Sequence, residues 1–176
     1  MLVFCGGVLA TQICFCEETS PTAERQMKAL CLLNFAKYVE WPEQVFPDAD
    51  SPIVIGIVGE NKFQDDLKDV MADKRVGGRK IVVKAVASEN DYRKCQILFI
   101  GAGDTRREAE VLKGLKSLPM LTVGETDQFV QDGGMINFTT KDGKVRFDVD
   151  LNATRAVGLG ISSKLLSLAG TVKGKP

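Results

Sequence analysis

The most constraining stretch of this chain is Ile53-Val54-Ile55-Gly56-Ile57-Val58, a run without one polar side chain. A continuous apolar run of this length, rich in β-branched residues, is the pattern of a strand buried on both faces. Such strands belong to parallel sheets with helices on each side. Three further, mostly apolar runs follow: Ile81 to Val86, Ile97 to Ile100, and Met120 to Val123. Segments 62–72 and 105–117 lie among them and have helical spacing. A short helix is expected near 126–131, before Gly133-Gly134. The alternation of strand and helix predicts crossover connections and therefore a parallel arrangement.

The pattern changes near the end. Met135-Ile136-Asn137-Phe138-Thr139 and Val145-Arg146-Phe147-Asp148-Val149 flank Lys141-Asp142-Gly143-Lys144, and Asp-Gly between two alternating runs signals a tight hairpin. Asn152 is a suitable N-cap for a last helix over 153–169. Pro21 and Thr22 open an earlier helix over 21–40, which Trp41-Pro42 ends. Its apolar residues, among them Leu30, Cys31, Leu32, Leu33 and Phe35, cover more than one face, so deep packing is expected. The predicted fold is three-layer α/β: a mostly parallel sheet, a C-terminal antiparallel hairpin and a final helix. One domain is expected over 21–170, with a signal peptide or disordered leader over 1–20 and a tail over 171–176.

Composition narrows the chemistry. Lys and Arg together number 23, as do Asp and Glu, so no global field attracts nucleic acid or an anionic membrane. Histidine is absent. That removes the commonest general base, the usual Ser and Cys triads and most catalytic zinc sites. No catalytic constellation replaces them, and neither a metal nor a cofactor is expected. Neither glycine turn completes GxGxxG, since Arg106 stands where the third glycine would follow Gly101 and Gly103.

The leader MLVFCGGVLATQICFC carries no charge. It is too short to span a bilayer and fits the apolar core of a secretory signal peptide. Three of the five cysteines, Cys5, Cys14 and Cys16, lie in it. Cys31 and Cys95 remain in apolar runs, where two buried thiols are expected. A disulfide in an oxidising compartment is the alternative.

Three strand ends run into glycine-bearing turns: Gly59-Glu60-Asn61, Gly101-Ala102-Gly103-Asp104-Thr105 and Gly124-Glu125-Thr126. Ligands of open α/β sheets bind outside the carboxyl ends of strands, and free helix-start amides there suit an anionic group. Gly59, Glu60, Asn61, Gly101, Gly103, Thr105 and Gly124 are therefore candidate ligand-binding residues. Ordinary turn chemistry is the competing reading and the stronger one, because Asn61 to Gln64 and Thr105 to Glu108 read as capping boxes. The late hairpin offers a second surface. Met135, Asn137, Lys144 and Arg146 are its candidate partner-contact residues, since exposed strand edges recruit other chains.

Several segments resemble the YfiR-like family. Lys28-Ala29-Leu30 through Leu33-Asn34-Phe35-Ala36-Lys37-Tyr38-Val39-Glu40-Trp41-Pro42 is similar to its opening helix. Ile55-Gly56-Ile57-Val58-Gly59, Cys95 to Ile100, Leu121 to Gly124, Gly133 to Phe138, Val145 to Val149 and Gly158 to Leu166 follow in the family's order. The resemblance covers about residues 27 to 169 and implies a periplasmic α/β protein. It further implies a regulator that binds the periplasmic part of an inner-membrane signalling protein, a diguanylate cyclase in the best-understood case, and a homodimer. The mature chain would carry no membrane span and bind no nucleic acid. With two mature cysteines, it cannot share that relative's disulfide set. A periplasmic small-molecule binding protein, using a cleft at the strand ends, is the alternative.

Overall fold

A computed structural model describes residues 20 to 175 except 60 and 104, and describes only the backbone of Asn61 and Thr105. The leader lies outside these residues. Helix α1 (Pro21–Tyr38) starts where Ser20 accepts a hydrogen bond from the Ala23 amide, with Pro21 in the first turn. Strand β1 (Val39–Glu40) follows, then a 3₁₀ turn, and β2 (Ile53–Val58) is buried throughout. The chain continues through α2 (Asn61–Met71), β3 (Arg75–Val76), β4 (Arg79–Ala85), α3 (Glu89–Tyr92), β5 (Ile97–Ile100), α4 (Thr105–Leu115) and β6 (Leu121–Gly124). The hairpin strands are β7 (Ile136–Lys141) and β8 (Lys144–Asp150). The remainder is α5 (Leu151–Ala156), β9 (Gly160–Ile161), α6 (Ser163–Leu166) and β10 (Thr171–Lys173).

The main sheet has eight strands in the order β10-β8-β7-β6-β5-β2-β4-β3. Strands β4, β2, β5, β6 and β7 are mutually parallel, whereas β8 runs against β7 and β3 against β4. The period of two along each strand divides the apolar runs between two cores. Ile53, Ile55 and Ile57 join Ile97, Phe99, Leu121, Val123 and α1 on one face. Val54 and Val58 join Leu98, Ile100, Leu112 and Leu115 on the other. The three-layer, mostly parallel sheet with its antiparallel hairpin is as the sequence predicts. Asp142 and Gly143 both have positive φ at the hairpin tip, as a two-residue turn of the primed type requires.

Several local expectations are overturned. The segment 126–131 forms turns, because Phe129 folds back as a fully buried wedge. A β-carbon on Gly124 would lie 2.1 Å from that ring and one on Gly134 2.2 Å, so both glycines make room for it. The last helix over 153–169 is not continuous: Gly158 takes φ +76, and the chain passes through β9 before α6. Its N-cap is Asp150, whose carboxylate accepts from the Asn152 and Ala153 amides at 2.8 and 3.1 Å. Residues 171–173, expected in a tail, pair with Asp148 to Asp150 as a parallel edge strand. Helix α1 is also less enclosed than expected, since Leu30 is exposed while Ala29, Leu32, Phe35 and Ala36 are buried.

Candidate functional site

The carboxyl ends of β2, β5 and β6 lie side by side, because these strands are adjacent and parallel. Their glycine turns therefore meet. A β-carbon on Gly59, which has φ +105, would lie 3.9 Å from the Gly101 nitrogen, and one on Gly101 would lie 3.7 Å from a Glu125 oxygen. The first turns of α1 pass over this end of the sheet and close a cleft of about 260 Å³. Phe63 and Phe99 lie at its base, 4.6 Å apart between ring centroids, and Arg25, Lys28 and Glu125 stand at its rim. A second hollow of about 420 Å³ shares Glu24, Lys28 and Glu125 and extends to Phe138 and Thr139.

Charge holds the cleft together. The Lys28 ammonium donates to Glu125 at 2.6 Å and lies 2.7 Å from Glu24. The other Glu125 oxygen accepts from the Ala102 amide at 2.7 Å. Glu125 thus ties the helix to the turn after β5. Arg25 is paired with Asp66 of α2. Burial pulls the Lys28 pKa down, but hydrogen bonds and charge from Glu125 and Glu24 outweigh it, leaving the net shift upward. Nearby, Glu108 is buried and accepts from the Thr126 hydroxyl at 2.6 Å. Burial, with Asp132 and Glu125 adding repulsion, raises its carboxyl above the usual range although the Thr126 bond opposes the shift.

Of the glycines expected at a ligand site, Gly59 and Gly101 border the cleft region, and Gly103 is open with no neighbour within 4 Å of a β-carbon. Gly124 serves the opposite face, where Phe129 fills its space. Glu60 and the side chains of Asn61 and Thr105 lie outside the described residues. The residues that shape the cleft most, Lys28, Glu24 and Glu125, escape sequence reasoning because Lys28 and Glu125 are 97 positions apart. Among the described residues, no group of three or more Cys, Asp or Glu is placed to hold a metal ion. Nor is any described helix long and apolar enough to cross a membrane.

The hairpin surface is divided. Met135 and Asn137 are only 5% and 6% exposed, so neither side chain offers a contact surface, whereas Lys144 and Arg146 are exposed. Arg146 stands opposite Thr139 on an open polar face that includes Asp148 and Thr171.

A family model described as YfiR/HmsC-like matches residues 25–170. The chain belongs to the YfiR/HmsC-like family. This membership agrees with the ordered motifs of the sequence. Solved structures similar to this YfiR/HmsC-like chain include a conserved domain protein from Vibrio cholerae. Its TM-score is 0.51 at 13% identity, over 68% of this chain and 54% of that one. Another is the ABC domain in complex with L-Trp from Streptococcus pneumonia. Its TM-score is 0.54 at 12% identity, over 85% of this chain and 60% of that one. Identities this low speak for a shared α/β fold alone, and the chain spans a little over half the length of these two structures.

Proposed function

We propose that this protein is a periplasmic regulator that binds the extracytoplasmic domain of an inner-membrane signalling protein, a diguanylate cyclase, and holds it inactive. Membership of the YfiR/HmsC-like family over residues 25–170 carries the reading. The uncharged leader supports export, and the absence of histidine favours binding over catalysis. The mechanism is differential affinity: the regulator prefers the inactive receptor conformation and so shifts its population. Deleting the gene should raise cyclic di-GMP and surface attachment, and an exported copy alone should reverse both. An unchanged cyclic di-GMP level after deletion would reject the cyclase as target.

The cleft at the strand ends favours a second reading, that of a periplasmic protein binding a small amphipathic metabolite. Its aromatic base and rim of both charge signs suit such a ligand, and a structural neighbour is described in complex with an amino acid. Mass analysis of ligand released from freshly purified protein distinguishes the two, since a co-purifying metabolite with unchanged cyclic di-GMP supports this one.

A further inference from the structure

Between Lys74 and Lys84 the sequence contains Lys74, Arg75, Arg79, Lys80 and Lys84 and no carboxylate, within a chain whose formal net charge is zero. These residues form the β3–β4 hairpin and the strand beyond it. Gly77 and Gly78 both take positive φ, so the hairpin turns tightly and its short strand β3 reaches only Arg79 and Lys80. Past Lys80 the outer edge of β4 has no strand partner among the described residues.

The orientation of that edge follows from one hydrogen bond and one strand register. The Val86 amide donates to Ile57 at 3.0 Å. Backbone groups alternate in direction along a strand, so the amides of Val82 and Lys84 also point toward β2. Those of Ile81, Val83 and Ala85 point outward, in step with Arg79, which closes the β3 hairpin. The Ile81 amide there faces the Lys74 carbonyl, which leaves the Ile81 carbonyl and the main-chain groups of Val83 and Ala85 open. A row of free donors and acceptors is a template for another extended chain. Lys74, Arg75, Lys80 and Lys84 are exposed around it. A hollow of about 170 Å³ lies at its start, between Met71 and Ile81, with Asp73 the one carboxylate in its lining.

We propose that the outer edge of β4, from Ile81 to Ala85, is a docking site for an extended acidic segment of another protein, which joins the sheet as an additional strand. Main-chain hydrogen bonds to Ile81, Val83 and Ala85 supply affinity, and Lys80 and Lys84, on one face of the strand, select acidic side chains. A second copy of this chain is a poor occupant, because antiparallel pairing of two β4 edges crowds Lys80 and Lys84 of both copies onto the same face of the sheet. An anionic membrane satisfies the charge but leaves the outward amides without partners. The inference stands whether or not the partner is a cyclase.

The test uses the full exported chain, isotopically labelled, and a short capped peptide of alternating valine and glutamate. Hydrogen exchange at Val83 and Ala85 should slow on adding the peptide while buried β5 amides stay unchanged. The lysine counterpart of the peptide and a form N-methylated at alternate amides should bind at least about tenfold more weakly, as should the protein variant Lys80→Glu/Lys84→Glu. Equal binding of the N-methylated peptide would reduce the site to a charged patch and overturn strand addition. So would binding confined to phosphatidylglycerol vesicles, or an acidic peptide that protects neither the Val83 nor the Ala85 amide. Because the double lysine variant is at the surface, its unchanged far-ultraviolet circular dichroism spectrum serves as the control for folding.

Discussion

The sulfur of Cys95 lies 2.7 Å from the position that a β-carbon on Gly56 would occupy. Leu98 and Val86 each approach the same point to 3.0 Å, so the glycine in the middle of the apolar β2 run is a packing requirement. Gly56→Ala should therefore destabilise the protein by about 1–3 kcal/mol through overpacking. Adding Cys95→Ala should recover part of that loss. Urea denaturation of the single and double variants measures both, and a Gly56→Ala protein as stable as its parent would contradict the packing.

Burial also slows thiol chemistry, more at buried Cys95 than at Cys31, which is expected to be buried but is only half-buried. Burial pushes the Cys95 pKa up to about 11, with Asp91 adding to the shift and Lys84, the Gly56 backbone and Lys94 opposing it. Burial raises Cys31 as well. Both are free, and they pack into different cores on opposite faces of the sheet. Iodoacetamide should label native protein at neutral pH at least about tenfold more slowly than unfolded protein. After unfolding without reductant both thiols should label, and an intact bridge there would refute the arrangement.

Lys28 binds α1 to the strand ends. Its side chain is 13% exposed and that of Glu125 20%, so the pair lies between a surface and a buried ion pair. Lys28→Met should cost about 1–2 kcal/mol, discounted from the fully buried case for partial solvation. Because the folded pKa lies above the ordinary 10.5, this contribution is complete below that pH and disappears as pH rises through the folded value. Thermal unfolding of parent and variant should converge in strong alkali. A constant gap across that range would assign the loss to packing.

Glu108 has the opposite consequence at neutral pH. Its raised carboxyl pKa means that the folded state binds the proton more readily than the unfolded state. The folded protein is thus favoured below the ordinary value of 4.5, and this advantage is lost as pH rises through the folded pKa. Glu108→Gln retains an acceptor for Thr126 and removes the charge, so it should stabilise the protein at pH 7 by up to about 1 kcal/mol. The gain should shrink toward pH 4.5 in calorimetric titration. A destabilised variant at neutral pH would show that the ionised form is needed.

The sequence makes the sheet legible because each buried strand is locally apolar, and Asp142-Gly143 marks its hairpin without help from distant residues. It hides the strand order, which depends on pairings such as β6 with β5 across the whole of α4. The break in the last helix had a local signal, two glycines at 158 and 160 with Ser162 placed to cap a new turn, as it does by accepting from the Lys164 amide. Treating those glycines as helix interior missed it. Phe129 had none: its fit between Gly124 and Gly134 becomes visible only when both strands are in place. The cleft residues are hidden for the same reason, since nothing local distinguishes Lys28 from an ordinary solvated lysine.

Phe35 of the first helix packs against Phe138 and Phe147, at ring separations of 5.7 and 5.0 Å. More than a hundred residues must leave the ribosome before either ring becomes available to it. Contacts so distant along the chain carry a large loop-closure cost and make folding slow. The opening helix therefore remains without its seat until the hairpin has been made. For export as proposed above, that delay would be useful: the chain would stay unfolded, and so fit for threading across a membrane, until the hairpin over residues 136–150 has been synthesised.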